Sequence, residues 1–263
     1  MRQQKLTDAI PSEDRETKMW KSRFAAATAA YEMGEFRQCE SLLYRAMEQA
    51  NTLKESKFAI NTCHVGLGAV YIATGKIDQA REQLQTALTA LSGSGDAALR
   101  ELDALAHRFY AKVLTEAGDE TGAEDQLQTA IKALEDLGAE CAVPLAYTLS
   151  DLATLYIMQG KLKDAKELIF SAMDLLECTL GPENPEYIGA NLIYNICDSK
   201  EEEEMLSQVE DSIFRMQYEF CQKHPSLTRA LRWYLKKRQE RGETEKIAEV
   251  KERFDMHVKA LGI

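Results

Sequence analysis

The stretch LGAVYIATGKIDQAREQLQTA, residues 67–87, carries the pattern that decides the fold. Before Gly75, small and apolar side chains recur three or four residues apart, as at Gly68 and Tyr71, which places them on one face of a helix. After Gly75 a second series follows with the same spacing: Ala80, Leu84 and Ala87. Glycine tolerates the left-handed backbone conformation that ends a helix. The stretch therefore predicts two amphipathic helices joined by a tight turn.

The same pattern recurs around four turn glycines, spaced 41, 43 and 42 residues apart: Gly34, Gly75, Gly118 and Gly160. A small residue stands seven positions before each of them: Ala27, Gly68, Ala111 and Ala153. An alanine stands twelve positions after each of them: Ala46, Ala87, Ala130 and Ala172. One hairpin of helices cannot bury both of its faces, so the copies must stack. The sequence therefore predicts an all-α protein, an α-solenoid of about six helical hairpins.

The repeat resembles the tetratricopeptide repeat, most fully in the second unit, and its length of about 42 residues resembles the long repeats of kinesin light chains. The fourth unit ends in the connector Leu180-Gly-Pro-Glu-Asn-Pro185, which is typical of that group. The third unit departs from the pattern, because Glu120 stands where a hydrophobic residue usually follows the turn. The resemblance implies a right-handed superhelix whose first helices line a concave groove.

A single array is predicted for residues 13–263, after a flexible leader over residues 1–12. Its six units span approximately residues 13–52, 53–97, 98–140, 141–184, 185–222 and 223–263. The last two units are degenerate and are expected to cap the array. The fifth lacks the turn glycine and has Glu201–Glu204 there, which we interpret as a solvated helix start stabilised by the helix dipole. A partner-facing acidic surface is the alternative.

Charge and hydropathy exclude several classes of protein. The net charge of −11 argues against a nucleic-acid binder, because phosphate neutralisation needs excess cations. No apolar run approaches the ~18 residues that span a bilayer, and the polar N-terminus has no apolar signal-peptide centre. We therefore expect a cytoplasmic protein that neither inserts into membranes nor binds nucleic acid.

Motifs for catalysis and for metal or cofactor binding are absent from the sequence. The six cysteines are scattered singly, and no pair has the C-x-x-C spacing. The sequence contains no H-E-x-x-H, G-x-S-x-G or G-x-x-x-x-G-K-[ST] motif. His64 and His107 both stand eleven positions before their turn glycines, which favours a packing role over a metal pair. We expect no enzyme activity, no cofactor and no metal.

The groove-facing side of the first helices supplies the candidate peptide-binding residues. They mix aromatic, apolar, hydroxyl and charged side chains, and they are Phe24, Thr28, Tyr31, Val65, Arg108, Phe109, Lys112, Tyr147, Ser150, Asp151, Thr154, Arg229, Arg232, Trp233 and Lys236. Such a mixture is typical of a peptide-binding face. Residues 223–241 contain seven Lys or Arg and a single acid, so we expect an acidic or carboxylate-bearing partner segment. The alternative is that the basic helix is a solvated end and that Trp233 caps the array.

The leading hypothesis is a non-enzymatic protein-interaction scaffold that binds a peptide segment of another protein in its groove. Two alternatives stay open from the sequence. The chain could be a regulatory protein that senses a peptide or another ligand by changing shape. It could also be an assembly factor that self-associates, for example as a homodimer through its end hairpins.

Overall fold

The protein is described by a computed structural model that covers residues 15–53, 56–198, 202–219 and 225–253. Over these residues the regular elements are twelve α-helices and a 3-10 turn at Ala139–Cys141. The all-α prediction is confirmed. The predicted leader, residues 1–12, lies outside the described residues.

The helices form six consecutive antiparallel pairs, and the two helices of each pair pack along each other. The first helices of the pairs are α1 (Arg15–Glu32), α3 (Ser56–Ala73), α5 (Ala97–Glu116), α7 (Ala142–Met158), α9 (Pro185–Asp198) and α11 (Pro225–Glu240). The second helices are α2 (Phe36–Ala50), α4 (Ile77–Leu91), α6 (Glu120–Leu137), α8 (Leu162–Leu180), α10 (Glu202–Glu219) and α12 (Thr244–Arg253).

The first helices form one continuous layer, because each contacts the next from α1 to α11. Within the described ranges no comparable contact joins consecutive second helices, which pack instead between the first helices of two successive pairs. One closely spaced layer and one splayed layer produce a curved stack. The first helices therefore lie on the inner, concave side, and the predicted α-solenoid is confirmed.

The hairpin turns adopt the backbone conformation that their glycines predict. Gly75 has φ of 73°, and the amide of Lys76 donates to the carbonyl of Tyr71 at 2.8 Å. This hydrogen bond closes the last turn of the helix in the manner of a Schellman motif. The equivalent glycines of the other turns also have positive φ, between 69° and 80°: Gly34, Gly118, Gly160 and Gly242.

Small residues at the hairpin contacts let the two helices approach closely. The alanines twelve positions after the turn glycines are 0% exposed: Ala46, Ala87, Ala130 and Ala172. At Gly68 a Cβ atom would lie 2.6 Å from Cγ of Leu84, so this helix crossing has no room for a side chain. The periodic small residues of the sequence are thus contact points of the array.

Matching polar contacts fix the first pair on the second and the third pair on the fourth. The Tyr71 hydroxyl donates to Glu40 Oε1 at 2.9 Å, and Lys76 Nζ lies 3.6 Å from the same carboxylate. At the equivalent positions, the hydroxyl of Tyr156 donates to Glu124 at 2.8 Å and Lys161 lies 3.6 Å away. Burial, followed by the hydrogen bonds with Tyr44 and Glu40, raises the pKa of Tyr71 above its ordinary range.

The last two pairs are joined by an ionic network centred on Arg238, which is 2% exposed. Its guanidinium contacts Glu203 at 3.1 Å, Glu243 at 2.5 Å and Glu210 at 3.8 Å. Arg241 also contacts Glu203 at 2.8 Å. Glu203 lies in the first turn of α10 and is 61% exposed, and it also pairs with Arg238 and Arg241 of the following pair.

One described segment, Ala139–Met158, is long and apolar enough to cross a membrane by length and composition, with a mean hydropathy of 1.3. The prediction that no apolar run approaches this length is wrong for this segment. It comprises the 3-10 turn and α7, which contacts α5, α6, α8 and α9. Packing against four helices requires apolar residues around most of its circumference.

Candidate functional site

A cavity of about 350 Å³ opens on the concave side between α1, α3 and α5. Five of the predicted groove residues line it: Phe24, Thr28, Tyr31, Val65 and Phe109. The structure thus brings together side chains that stand up to 85 residues apart in the sequence. We call this feature the α1–α3–α5 cavity.

The α1–α3–α5 cavity is also lined by residues that the candidate list missed, and those in the first halves of α3 and α5 include Phe58, Ala98, Glu101 and Leu102. A signal for them existed. On α5 the lining positions 98, 101, 102, 105 and 109 follow the three- and four-residue spacing of one helix face. The candidate stripe was counted back from the turn glycine and stopped before it reached the start of each helix.

The wall of the α1–α3–α5 cavity is mostly apolar. The Thr28 hydroxyl donates to the Phe24 carbonyl at 3.2 Å. The Thr62 hydroxyl donates to the Phe58 carbonyl at 2.8 Å. Both hydroxyl protons are therefore used within their own helices. Phe24 stacks on Trp20 with ring centroids 5.7 Å apart, and this contact holds one wall in place.

A second group of predicted residues meets where α5 packs beside α7. Arg108 Nε donates to Asp151 Oδ2 at 2.6 Å, and Lys112 Nζ lies 3.0 Å from the same oxygen. The Arg108 guanidinium also lies 5.3 Å from the Phe109 ring centroid and 5.2 Å from that of Tyr147. The two cations therefore share one carboxylate and carry one net positive charge between them.

The environment of this α5–α7 cluster is partly buried. The side chains of Arg108, Lys112 and Asp151 are 13%, 23% and 10% exposed. Burial raises the pKa of Tyr147 to about 12; the charges of Glu186 and Glu32 add to this shift, and that of Arg108 opposes it. Negative charge thus also reaches this part of the groove.

Ser150 and Thr154 lie half-buried on α7, beside the α5–α7 cluster along the helix. The Ser150 hydroxyl donates to the Ala146 carbonyl at 2.8 Å, and the Thr154 hydroxyl donates to the Ser150 carbonyl at 2.8 Å. Both hydroxyl protons are turned into the helix, so neither is displayed as a donor in the groove.

The predicted residues of the sixth unit lie on α11, away from the α1–α3–α5 cavity. Lys236 is exposed, and the side chains of Arg229, Arg232 and Trp233 lie outside the described part of the structure. Further along the same segment, Arg238 and Arg241 pair with Glu203 and Lys237 pairs with Glu240 at 2.9 Å, and the basic groove stays a prediction. Three of the seven cations counted in the sequence are engaged within the fold.

The chemically reactive side chains of two histidines and two cysteines are hydrogen-bonded or buried within the fold. His64 Nδ1 lies 2.8 Å from Gln83, and His107 Nδ1 lies 2.6 Å from Gln126, at equivalent positions of two repeats. Burial raises the pKa of the Cys39 and Cys63 thiols to about 11, which keeps them protonated. Within the described ranges, no group of three His, Cys, Asp or Glu side chains is placed to hold a metal ion.

Sequence comparison identifies the repeat that the second helical pair contains. A tetratricopeptide-repeat profile matches residues 62–86, which span most of α3 and the first part of α4. The fold is a tetratricopeptide-like repeat array. No curated protein matches the sequence significantly.

Solved structures with this tetratricopeptide-like fold include regulators and kinesin light chain repeats. The Rap conjugation gene regulator of the plasmid pLS20, in complex with the Phr* peptide, superposes with a TM-score of 0.73 at 16% identity over 99% of this chain and 69% of that chain. The kinesin light chain repeats of Podosopora anserina give a TM-score of 0.53 at 17% identity over 78% and 98%. The predicted resemblance to tetratricopeptide repeats of the kinesin light chain type is confirmed.

Another structure with the tetratricopeptide-like fold is the aspartyl phosphate phosphatase F of Bacillus subtilis. Its TM-score is 0.69 at 13% identity, over 93% of this chain and 61% of that chain. At such identities the similarity shows the shared fold and not a shared activity. The activity of this chain must therefore be argued from its own concave surface.

Proposed function

We propose that this tetratricopeptide-like chain is a non-enzymatic scaffold that binds a peptide segment of another protein in its concave groove. The observation that carries the proposal is the α1–α3–α5 cavity, which combines four aromatic rings with an open apolar floor on the inner helix layer. Its volume of about 350 Å³ lies in the range of small ligand sites and suits bulky apolar side chains.

Preorganisation supports this function. The cavity walls belong to packed helices: α3 and α5 contact the pairs before and after them, and α1 contacts α2 and α3, so binding does not have to order them. Small residues such as Gly66 and Ala69 keep the floor low, and the aromatic side chains of Phe24 and Phe109 stand on either side. An apolar anchor can therefore be desolvated without a large rearrangement of the array.

Filling the cavity from its rim tests the proposal. Ala98 is exposed and lines the cavity at the start of α5, whereas its neighbour Ala97 is exposed and does not line it. We expect Ala98→Trp to weaken capture of short peptides from a synthetic random library at least about tenfold, because the indole occupies the anchor site. Ala97→Trp is the matched control and should bind like the wild type. Equal binding by all three proteins would contradict the proposed site.

The preference for an acidic or carboxylate-bearing segment is a further part of the proposal, and it concerns the α5–α7 cluster. Arg108 and Lys112 could receive a partner's carboxylate, but Asp151 already contacts both. Replacing Asp151 by Asn should leave more positive charge for the partner. We expect Asp151→Asn to bind a Glu-containing version of a library peptide about three- to tenfold more tightly than the wild type does.

The measurement for Asp151→Asn is a titration with paired peptides that differ only in Glu against Gln. Asp136→Asn is the control. Asp136 lies on α6, is 60% exposed and pairs with Arg100 at 3.9 Å. If Asp151→Asn shows no gain for the Glu peptide over the Gln peptide, the acidic preference has no basis in this cluster.

A regulatory function is the second candidate, and one observation favours it. The structure of the Rap conjugation gene regulator with its Phr* peptide has the same fold over 99% of this chain. A regulator of this kind would change the curvature of its array when a peptide binds. Small-angle scattering with and without saturating library peptide tests this: a change in radius of gyration supports regulation, and an unchanged profile favours a static scaffold.

Self-association through the end hairpins is also proposed as an assembly role. The end helix α1 carries Met19, which is 44% exposed. Sedimentation over a range of concentrations tests this, because a dimer would sediment faster as the concentration rises and Met19→Lys would prevent the increase.

A further inference from the structure

Glu101 is the charged side chain among the described residues that line the α1–α3–α5 cavity. It lies on the first half of α5, is half-buried, and is followed on the same lining face by Leu102 and Leu105. The apolar wall beside it offers no compensation for a negative charge. Glu101 therefore sets the electrostatic character of the rim.

Two other carboxylates near the inner layer are paired. Asp151 contacts Arg108 and Lys112, and Glu40 contacts Lys76 at 3.6 Å. Within the described residues Glu101 has neither an ion pair nor a hydrogen bond from its side chain. Its field is felt nearby, because the pKa of the Cys141 thiol is raised first by burial and then by the charges of Glu101 and Glu140.

We propose that Glu101 determines the specificity of the cavity: the peptide inserts a bulky apolar side chain between α1, α3 and α5 and pairs an adjacent Lys or Arg with Glu101. This inference rests on the proposed peptide-binding function and names the chemistry of the ligand. Partial burial next to an apolar wall strengthens such a pair relative to one in water.

The charges along α5 also give the bound peptide a direction. Glu101 precedes Arg108 and Lys112 by two to three helical turns, which corresponds to about 10–16 Å along the helix axis. A cationic side chain of the peptide lies at the Glu101 end. The acidic side chain predicted from the sequence lies at the other end, against the α5–α7 cluster, because beside Glu101 it would be repelled.

The test uses the full chain and an immobilised positional-scanning library of short synthetic peptides. We expect the wild type to retain peptides with a large apolar residue next to Lys or Arg. Glu101→Gln should weaken binding of the best such peptide about three- to tenfold. Glu135→Gln is the matched control. Glu135 is exposed on α6, and its replacement by Gln removes the same charge at a position away from the cavity.

Reversing the charge at residue 101 separates an effect on peptide recognition from an effect on folding. Glu101→Lys should lose the Lys- or Arg-containing peptide and gain its Glu-containing counterpart, and thermal unfolding should show that both Glu101 variants stay folded. If Glu101→Lys binds the Glu-containing peptide as tightly as the wild type binds the Lys- or Arg-containing peptide, this supports direct pairing between residue 101 and the peptide.

The possible failures are distinguishable. Retention of apolar peptides without a preference for Lys or Arg, or equal binding by Glu101→Gln and Glu135→Gln, overturns the role of Glu101 and leaves the peptide-binding function standing. Enrichment of acidic residues next to the anchor overturns it as well. Retention of no peptide by the wild type overturns both proposals.

Discussion

Both ends of the array have apolar cores, and they differ in the charged contacts that are added to them. The first three helical pairs pack through alanines, leucines and aromatic rings and leave an apolar cavity on their inner side. The last two pairs add a network in which Arg238 and Arg241 engage three carboxylates, those of Glu203, Glu210 and Glu243. Regular repeats thus leave an inner surface for a ligand, whereas degenerate repeats use charge to secure their docking.

This contrast has a physical cause. Apolar contacts are non-directional and tolerate the gradual rotation between successive repeats. A buried guanidinium requires partners at defined positions, because an uncompensated charge in the interior is strongly destabilising. The ionic end should therefore be more sensitive than the apolar end to the removal of a charged side chain and to acid.

The largest effect is expected at the centre of the network. Arg238→Ala leaves Glu210 without its cation, removes one of the two cations that contact Glu243, and opens a cavity at a position that is 2% exposed. We expect a loss of about 3–5 kcal/mol in the free energy of unfolding of the C-terminal pairs. Urea unfolding followed by hydrogen exchange of α10 to α12 measures it.

Lys237→Ala is the neighbouring control, because its pair with Glu240 is at the surface, with side chains 36% and 49% exposed. Lys237→Ala should lower the free energy of unfolding by at most about 1 kcal/mol. If Arg238→Ala and Lys237→Ala had similar costs, the C-terminal end would not depend on buried charge.

An intermediate effect is expected at two matched turns. Gly75 and Gly242 have φ of 73° and 74°, and no atom lies within 4 Å of an added Cβ at either position. Replacing either glycine by Ala should lower the free energy of unfolding by about 1–2 kcal/mol, because the added side chain is penalised only through the backbone conformation. Global unfolding should register Gly75→Ala, and local hydrogen exchange of α12 should register Gly242→Ala.

Asparagine at the same two turns refines this comparison. It tolerates the left-handed conformation, so Gly75→Asn and Gly242→Asn should recover part of the loss. A penalty for Asn as large as that for Ala would contradict the role of the left-handed backbone conformation at these turns.

The smallest effect is expected from mild acid. The hydrogen bond from Arg241, with that from Arg238, lowers the pKa of Glu243 below its usual 4.5. The ionised carboxylate therefore stabilises the folded chain above pH 4.5, and this contribution is lost as the pH falls through the lowered pKa. The protection factors of amides in α11 and α12 should fall between about pH 4.5 and 3 more than those in α3 and α4.

Glu243→Gln provides the check on the acid effect. It removes the titrating group, so the additional loss of protection at low pH should shrink in the variant. An identical pH dependence in Glu243→Gln and the wild type would assign the effect to other carboxylates.

The sequence predicted several residues of the site, but it did not predict how their charges pair. The inner-face spacing placed Phe24, Tyr31, Val65 and Phe109 together, because helix periodicity alone selects that face. It could not show that Arg108 and Lys112 share Asp151, since charge pairing depends on how α5 lies against α7. It also missed Glu101, because the candidate stripe was counted from the turn and not from the true start of α5.

The basic C-terminal helix shows the same limit. Counting charges between residues 223 and 241 suggested an open positive surface. Two of those cations instead meet Glu203, which stands 35 and 38 residues earlier in the chain. A count along one helix carries no information about the acids that a neighbouring helix brings to it.

By itself the sequence determined the repeated hairpin, its glycine turns and the direction of its apolar faces, because these follow from backbone conformation and from periodicities of three and four residues. Only the tertiary structure decided which charges are neutralised, which remain at the cavity rim, and where the groove has volume. These properties depend on distances between helices, and the packing of whole side chains sets those distances.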